Sequence, residues 1–245
     1  METSYSIFLV IMSFIVATFG SLLALITTRD GLLESEDKRG GLIFLASLCL
    51  GGVGIWSMHF IGMLAMTVQG MVMDFNWGLT AFSFIVGVLV VYIGLFIMNK
   101  GVFSIVKLIA AGVIVGLGVA AMHYTGMLAM EMQAEIQWNW GLVGASIGIA
   151  VTAAIVALWL AVHVKHMWQI LLSAIVMGIA VCGMHYTGMF AASFIHNPAL
   201  PEISQMTAST NVLTLIIMIV DFVVLLLATI LAMGKANSRK GFSAV

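Results

Sequence analysis

Charge is scarce in this sequence. Asp, Glu, Lys and Arg make up 8% of its 245 residues, against about 25% in a typical soluble domain. Hydrophobic residues reach 62% and the mean hydropathy is +1.18, a composition that excludes a water-soluble fold. Proline is nearly missing: Pro198 and Pro201 both fall in one break between apolar runs. The two cysteines, Cys49 and Cys182, lie inside apolar runs and make no disulfide framework. No basic segment precedes the first apolar run, where Glu2 stands instead, so that run reads as a retained helix and not as a cleaved signal peptide. No phosphate-binding loop, dinucleotide fingerprint, HExxH or nucleophile elbow is present, and no basic aromatic patch suggests a nucleic-acid partner.

What remains is apolar and long. A membrane-crossing helix needs ~20 mostly apolar residues, and seven such runs occur, at 6–28, 41–66, 78–98, 106–130, 142–162, 169–194 and 211–233. The runs are continuously apolar and lack the alternation of barrel strands. The expected fold is therefore an all-α polytopic membrane protein whose main partner is the lipid bilayer. Residues 1–233 form one seven-helix domain and 234–245 a short basic tail.

Positive charge is confined to one side. Arg29, Lys38, Arg39, Lys100, Lys107, Lys165, Lys235, Arg239 and Lys240 account for all nine basic residues, and each falls in an odd-to-even link or in the tail. The other side carries Glu2, Asp74, Glu131, Glu135 and Glu202 with no Lys or Arg. Basic residues collect in cytoplasmic loops, which places the N-terminus outside and the C-terminus inside. Trp77, Trp138 and Trp140 then stand at outer helix ends, where an aromatic belt belongs.

Three segments align without gaps: GIWSMHFIGMLAM (54–66), GVAAMHYTGMLAM (118–130) and AVCGMHYTGMFAA (180–192). Their histidines, His59, His123 and His185, are separated by 64 and 62 residues, one helical hairpin each. FNWGL (75–79) and WNWGL (138–142) echo one another downstream, and Gly52, Gly116 and Gly178 share one offset upstream. The architecture is three parallel hairpin repeats plus a seventh helix. Each repeat crosses the membrane twice, so all three motifs lie at one depth, in the outer half of helices 2, 4 and 6.

Positions i, i+4 and i+7 share a helix face. His59, Met63 and Met66 form such a stripe, as do His123, Met127 and Met130; the third copy keeps His185 and Met189 and has Ala192 last. Met58, Met122 and Met184 precede the histidines, and Gly62, Gly126 and Gly188 follow three residues later, where they let helices approach closely. Imidazole with thioether favours copper over hard cations; zinc with three imidazoles and a water is the alternative. Methionine stripes also fill gaps in packing, and that reading stays open for any single motif. Three ionisable copies at one membrane depth point to a shared site.

Other candidates are weaker. Asp221, inside helix 7, could accept a hydrogen bond from a ligand histidine and fix its tautomer. Asp74 and Glu131 could gather cations at the site mouth or simply be solvated. His163 and His166 read as interfacial, and His196 and Cys182 as minor ligand options.

Met122-His123-Tyr124-Thr125 and Met184-His185-Tyr186-Thr187 spell MHYT, and Met58-His59-Phe60-Ile61 is a variant. Three such motifs in seven helices resemble the bacterial MHYT integral-membrane sensor domain, over nearly the whole chain. The resemblance implies a multi-pass protein of the bacterial inner membrane. It implies copper held by His59, His123 and His185 with Met58, Met63, Met122, Met127, Met184 and Met189. It implies a response to a diatomic gas (oxygen, carbon monoxide or nitric oxide) and output in cyclic-di-GMP signalling through cytoplasmic domains. Phe60 and Ile61 depart from the motif. The chain runs only about a dozen residues past the seventh run, so it reads as a sensor whose output belongs to a cytoplasmic partner or to a removed output domain. The expectation is a non-enzymatic sensor of gas or redox state; the alternatives are an intramembrane zinc enzyme acting on a lipid or small apolar substrate, and a copper carrier.

Overall fold

A computed structural model of the chain describes residues 2–200 and 207–242. Glu202 and the last three residues of the expected tail lie outside them. Among the described residues seven helices are long and apolar enough to cross a membrane: α1 Ile7–Leu32, α2 Glu36–Leu64, α3 Trp77–Asn99, α4 Ile105–Leu128, α5 Trp140–His163, α6 Met167–Phe190 and α7 Thr210–Phe242. Helix α7 continues as a helix past the expected end of the seventh run, and α6 stops at Phe190, four residues before the expected 194.

The early stop of α6 has a reason that recurs. Short strands occupy the outer links: β1 Thr3–Tyr5, β2 Met66–Val68, β3 Asp74–Asn76, β4 Met130–Glu131, β5 Ala134–Trp138, β6 Ala192–His196 and β7 Thr207–Ser209. Each strand after a histidine motif pairs antiparallel with the strand that opens the same hairpin, β2 on β1, β4 on β3 and β6 on β5. Every hairpin is thus closed at its outer end by a ribbon. The closure repeats to the atom: the backbone N–H of Ser6, Asn76 and Asn139 donates to the carbonyl of Ala65, Ala129 and Ala191, each at 2.8 Å. Asn76 and Asn139 also cap α3 and α5 through their side chains, which is what the FNWGL and WNWGL echo encodes.

Two features break the threefold pattern, and both involve α2. Its middle, Leu48–Ser57, is π-helical, flanked by α-helix at Glu36–Ser47 and Met58–Leu64. A π segment inserts a residue into the helical register, and the contacts show the shift. Gly116 packs against Val151 and Gly178 against Thr18, each so closely that a Cβ would overlap the neighbouring helix. In the first repeat the glycine that meets the corresponding residue, Val88, is Gly51, not Gly52. The shared sequence offset of Gly52, Gly116 and Gly178 therefore does not give three equivalent contacts. The second break is α7, which packs against the π segment, with Val224 against Cys49 and Val53. Its strand β7 adds to the free edge of β3. As a result α2 is the central helix, with 83% of its apolar window buried, against 28% for α5 and 17% for α7.

Candidate metal centre

Where three helices arrive with one polarity and one depth, equivalent side chains can meet, and the histidines do. His59, His123 and His185 are 1%, 0% and 0% exposed. His59 Nδ1 lies 3.0 Å from His185 Nδ1 and 3.1 Å from His123 Nδ1, and the three ligating atoms fall within 4.8 Å of one another. The rings meet edge to face, with centroids 4.9–5.3 Å apart.

The opposite nitrogens explain the glycines. Each Nε2 is buried without a hydrogen-bond partner and points at a glycine of the next motif: His59 at Gly126, His123 at Gly188, His185 at Gly62. A Cβ at any of these glycines would overlap the imidazole. The glycine three residues after each histidine is thus a slot for the neighbouring repeat's ring. Contacts run from repeat one to two, two to three and three back to one.

The next residue in the motif obeys the same rotation. Phe60 packs on Phe75 (5.8 Å), Tyr124 on Trp138 (5.4 Å) and Tyr186 on Tyr5 (6.3 Å), each the aromatic residue just before the following repeat's first helix. Tyr124 shares a 2.6 Å hydrogen bond with Ser146, and Tyr186 a 2.9 Å hydrogen bond with Ser13. Phe60 has no hydroxyl. The equivalent serine, Ser83, instead receives the indole N–H of Trp56 at 3.0 Å, so the departure in the first motif is compensated one turn earlier on the same helix. These partners escaped the sequence reading, although a signal existed: Ser13, Ser83 and Ser146 all stand seven residues after Ser6, Asn76 and Asn139.

Neutral imidazole carries one proton for two nitrogens. With the protons on Nε2, three Nδ1 lone pairs face one another in a dry site. With a proton on His59 Nδ1, that single N–H serves two neighbours, and it cannot then accept from either. A cation among the three lone pairs satisfies all of them at once. Nitrogens ~2.0–2.1 Å from a shared tetrahedral ion stand ~3.3–3.4 Å apart, a few tenths of an ångström wider than the 3.0 and 3.1 Å that separate His59 Nδ1 from the other two. The three histidines could therefore hold a metal ion, and the Nδ1 atoms are the ones turned toward each other around His59. Met63, Met127 and Met189, one turn outward, are all buried at this level. Met122 and Met184 pack elsewhere, Met122 beside Gly87 of α3 and Met184 along an apolar cavity nearer the membrane centre. Met58 is fully buried.

The remaining candidates stand apart. Asp221 accepts a 2.6 Å hydrogen bond from Ser57, two residues before His59, and no histidine of the ring donates to it, since their nitrogens are either paired with one another or unpartnered. Asp74 accepts from Thr207 and Glu131 from Asn76, so both are tied into the β4-β3-β7 sheet. His196 Nδ1 lies 3.0 Å from the Gln133 carbonyl, His163 Nδ1 lies 2.8 Å from the Trp159 carbonyl, and His166 caps α6. Cys182 sits beside Ser13 on α1.

Comparison with known proteins bears on the same residues. The family model described as "MHYT: Bacterial signalling protein N terminal repeat" matches residues 52–111, 116–174 and 178–244. The bifunctional diguanylate cyclase/cyclic di-GMP phosphodiesterase MucR of Pseudomonas aeruginosa is 39% identical over 198 residues, covering 78% of this chain and 28% of that protein. The signaling protein YkoW of Bacillus subtilis is 30% identical over 98% of the chain and 30% of its own length. The cyclic di-GMP phosphodiesterase NbdA of Pseudomonas aeruginosa is 30% identical over 77% of the chain and 24% of its own length. The chain thus spans less than a third of these relatives. No solved structure matches it.

Proposed function

This chain belongs to the MHYT family of bacterial signalling proteins, a multi-pass domain of the inner membrane, and from that premise we propose that it senses through one copper ion held by His59, His123 and His185. The observation that carries the reading is the buried group of converging imidazoles, whose Nδ1 lone pairs a single cation would take up together. Copper suits the donors: imidazole at the centre and the thioethers of Met63, Met127 and Met189 one turn away. Met58, Met122 and Met184 then support the ring by packing. The signal is a change at the ion, either its redox state or a diatomic gas such as oxygen, carbon monoxide or nitric oxide.

The chain's own residues do three things in this scheme. The glycine slots fix the ring planes, the aromatic layer of Phe60, Tyr124 and Tyr186 keeps bulk water away, and the Ser57–Asp221 hydrogen bond joins the helix of the first histidine to α7. Helix α7 leads toward the cytoplasm, where, by likeness to relatives named for making and degrading cyclic di-GMP, the output is a signalling partner or an attached output domain. The zinc-enzyme alternative fares worse, because a catalytic zinc keeps an open position for water, and this ring is closed on its outer side and meets an apolar cavity on the other. No ring nitrogen bonds a carboxylate that could serve as a base.

The test is elemental. The protein purified in detergent is measured by inductively coupled plasma mass spectrometry beside the His59→Ala/His123→Ala/His185→Ala variant. Near-stoichiometric copper that disappears in the variant is the expected result. Zinc lost in the variant would move the reading to the enzyme, and metal retained in the variant would remove the histidines from any site.

A further inference from the structure

The three histidines crown a second threefold layer. Ile55, Val119 and Val181 each stand four residues before a histidine, one helical turn (~5.4 Å) toward the membrane centre, and all three line one apolar cavity of about 60 Å³. Leu50, Val115 and Met177 line the turn below; Leu50 is one residue further from its histidine than the other two, as the π segment requires. The cavity therefore lies on the axis that passes through the ring.

Its size and its walls point to different occupants than water. A water needs ~10–15 Å³ of such space and two to four polar partners. The volume is ample for several, yet among the described residues the only polar side chain in the wall is Thr28. Apolar cavities of this kind stay dry and take up small apolar guests such as xenon. A diatomic gas has the same size and polarity class.

A way in is also visible. A groove of about 470 Å³ opens between α5 and α6 on the face that meets lipid, where Val156 and Val176 are exposed. It shares Ala153, Met177 and Ala180 with the wall of the central cavity. Ala150, Ala154 and Ala161 continue the small-residue wall of α5 into the cavity. The outer side of the ring is closed by contrast, with Met63, Met127 and Phe75 all fully buried.

We propose that the axial cavity is a binding site for a small apolar molecule of diatomic size, loaded sideways from the bilayer core through the α5/α6 groove and delivered one turn beneath the histidine ring. Its relevance to signalling rests on the metal reading above, but its occupancy does not. Small apolar gases concentrate in lipid, so a sensor loaded from the membrane meets its ligand where the ligand accumulates.

Xenon is the probe, followed by 129Xe NMR on the protein in nanodiscs. The expected result is saturable bound xenon in the unaltered protein. Ala154→Met, which fills the cavity, lowers the affinity by about tenfold. Leu158→Ala, which enlarges the cavity, raises the affinity, so the two variants move in opposite directions even if one is poorly folded. Gly148→Phe, in the groove and outside the cavity wall, slows exchange with little change in final occupancy. No saturable xenon in the unaltered protein, or equal binding in Ala154→Met and Leu158→Ala, overturns the site; unchanged exchange in Gly148→Phe overturns the route. His123→Ala separates the two readings: metal retained in it with xenon bound defeats only the metal reading, and metal lost with no xenon bound in any form defeats only this one.

Discussion

The first hairpin and the other two are built from the same motif and fold differently. Helices α4 and α6 are regular, their tyrosines reach across to a serine of the next repeat, and one face of each hairpin meets lipid. Helix α2 carries a ten-residue π segment, has Phe60 where the others have tyrosine, and is enclosed by α1, α3 and α7. Ser57 also has no counterpart, since Ala121 and Gly183 stand in its place. Of these three positions only Ser57 carries a hydroxyl, and it donates to Asp221. The lesson is a division of labour: the ring asks all three repeats to be alike, and the connection to α7 is made by the one that is not.

Substitutions in the slots test the likeness most severely. Gly62→Ala, Gly126→Ala and Gly188→Ala each place a Cβ into a neighbouring imidazole. Each is expected to abolish metal retention and to cost more than the ~1–3 kcal/mol of ordinary overpacking, measured as metal content and thermal unfolding in detergent. Near-equal losses at all three glycines are expected; a benign effect at any one would break the threefold equivalence.

The connection to α7 is tested next. Ser57→Ala removes the donor to Asp221, and a hydrogen bond to a charged group is worth ~1.5–3 kcal/mol. The expected outcome is unchanged metal content with faster backbone hydrogen exchange in α7, whereas Ala121→Ser changes neither. Loss of metal in Ser57→Ala would mean that the bond belongs to the ring and not to the connection.

The smallest effect concerns the tyrosine layer. Tyr124→Phe and Tyr186→Phe should each cost ~0.5–1.5 kcal/mol by loss of one hydrogen bond. Phe60→Tyr should also destabilise, because Ser83 already serves Trp56. Trp56→Phe frees that serine, so the Phe60→Tyr/Trp56→Phe pair should be more stable than the two single changes predict, by ~0.5–3 kcal/mol of coupling. Strict additivity in denaturant unfolding would show that Trp56 does not stand in for the missing hydroxyl.

The helices were legible because bilayer thickness leaves few choices for a 20-residue apolar run, and the ring was legible because His59, His123 and His185 recur at hairpin spacing. Three things were hidden, each for a physical reason. The ribbons involve strands of two to five residues, too short to show alternation. The nitrogen that faces the centre depends on ring orientation, which is set by glycines of another repeat. The π segment shows itself in the close approach of Gly51 to Gly87 on α3, a contact between distant parts of the chain. Asp221 was singled out by its cost in the membrane, and its hydrogen-bond partner proved to be the residue that only the first repeat carries.

The one-way order of the contacts has a further consequence. Every hairpin offers an imidazole on one side and a glycine slot on the other, so the interface between hairpins is heterologous, and heterologous interfaces either close into rings or run on as filaments. Closure here occurs at three. A single hairpin would leave its slot empty and its imidazole unpacked, and a pair would leave one of each. The membrane bundle is a cyclic trimer whose subunits share one chain, and α7 is the element for which such a trimer has no symmetric place.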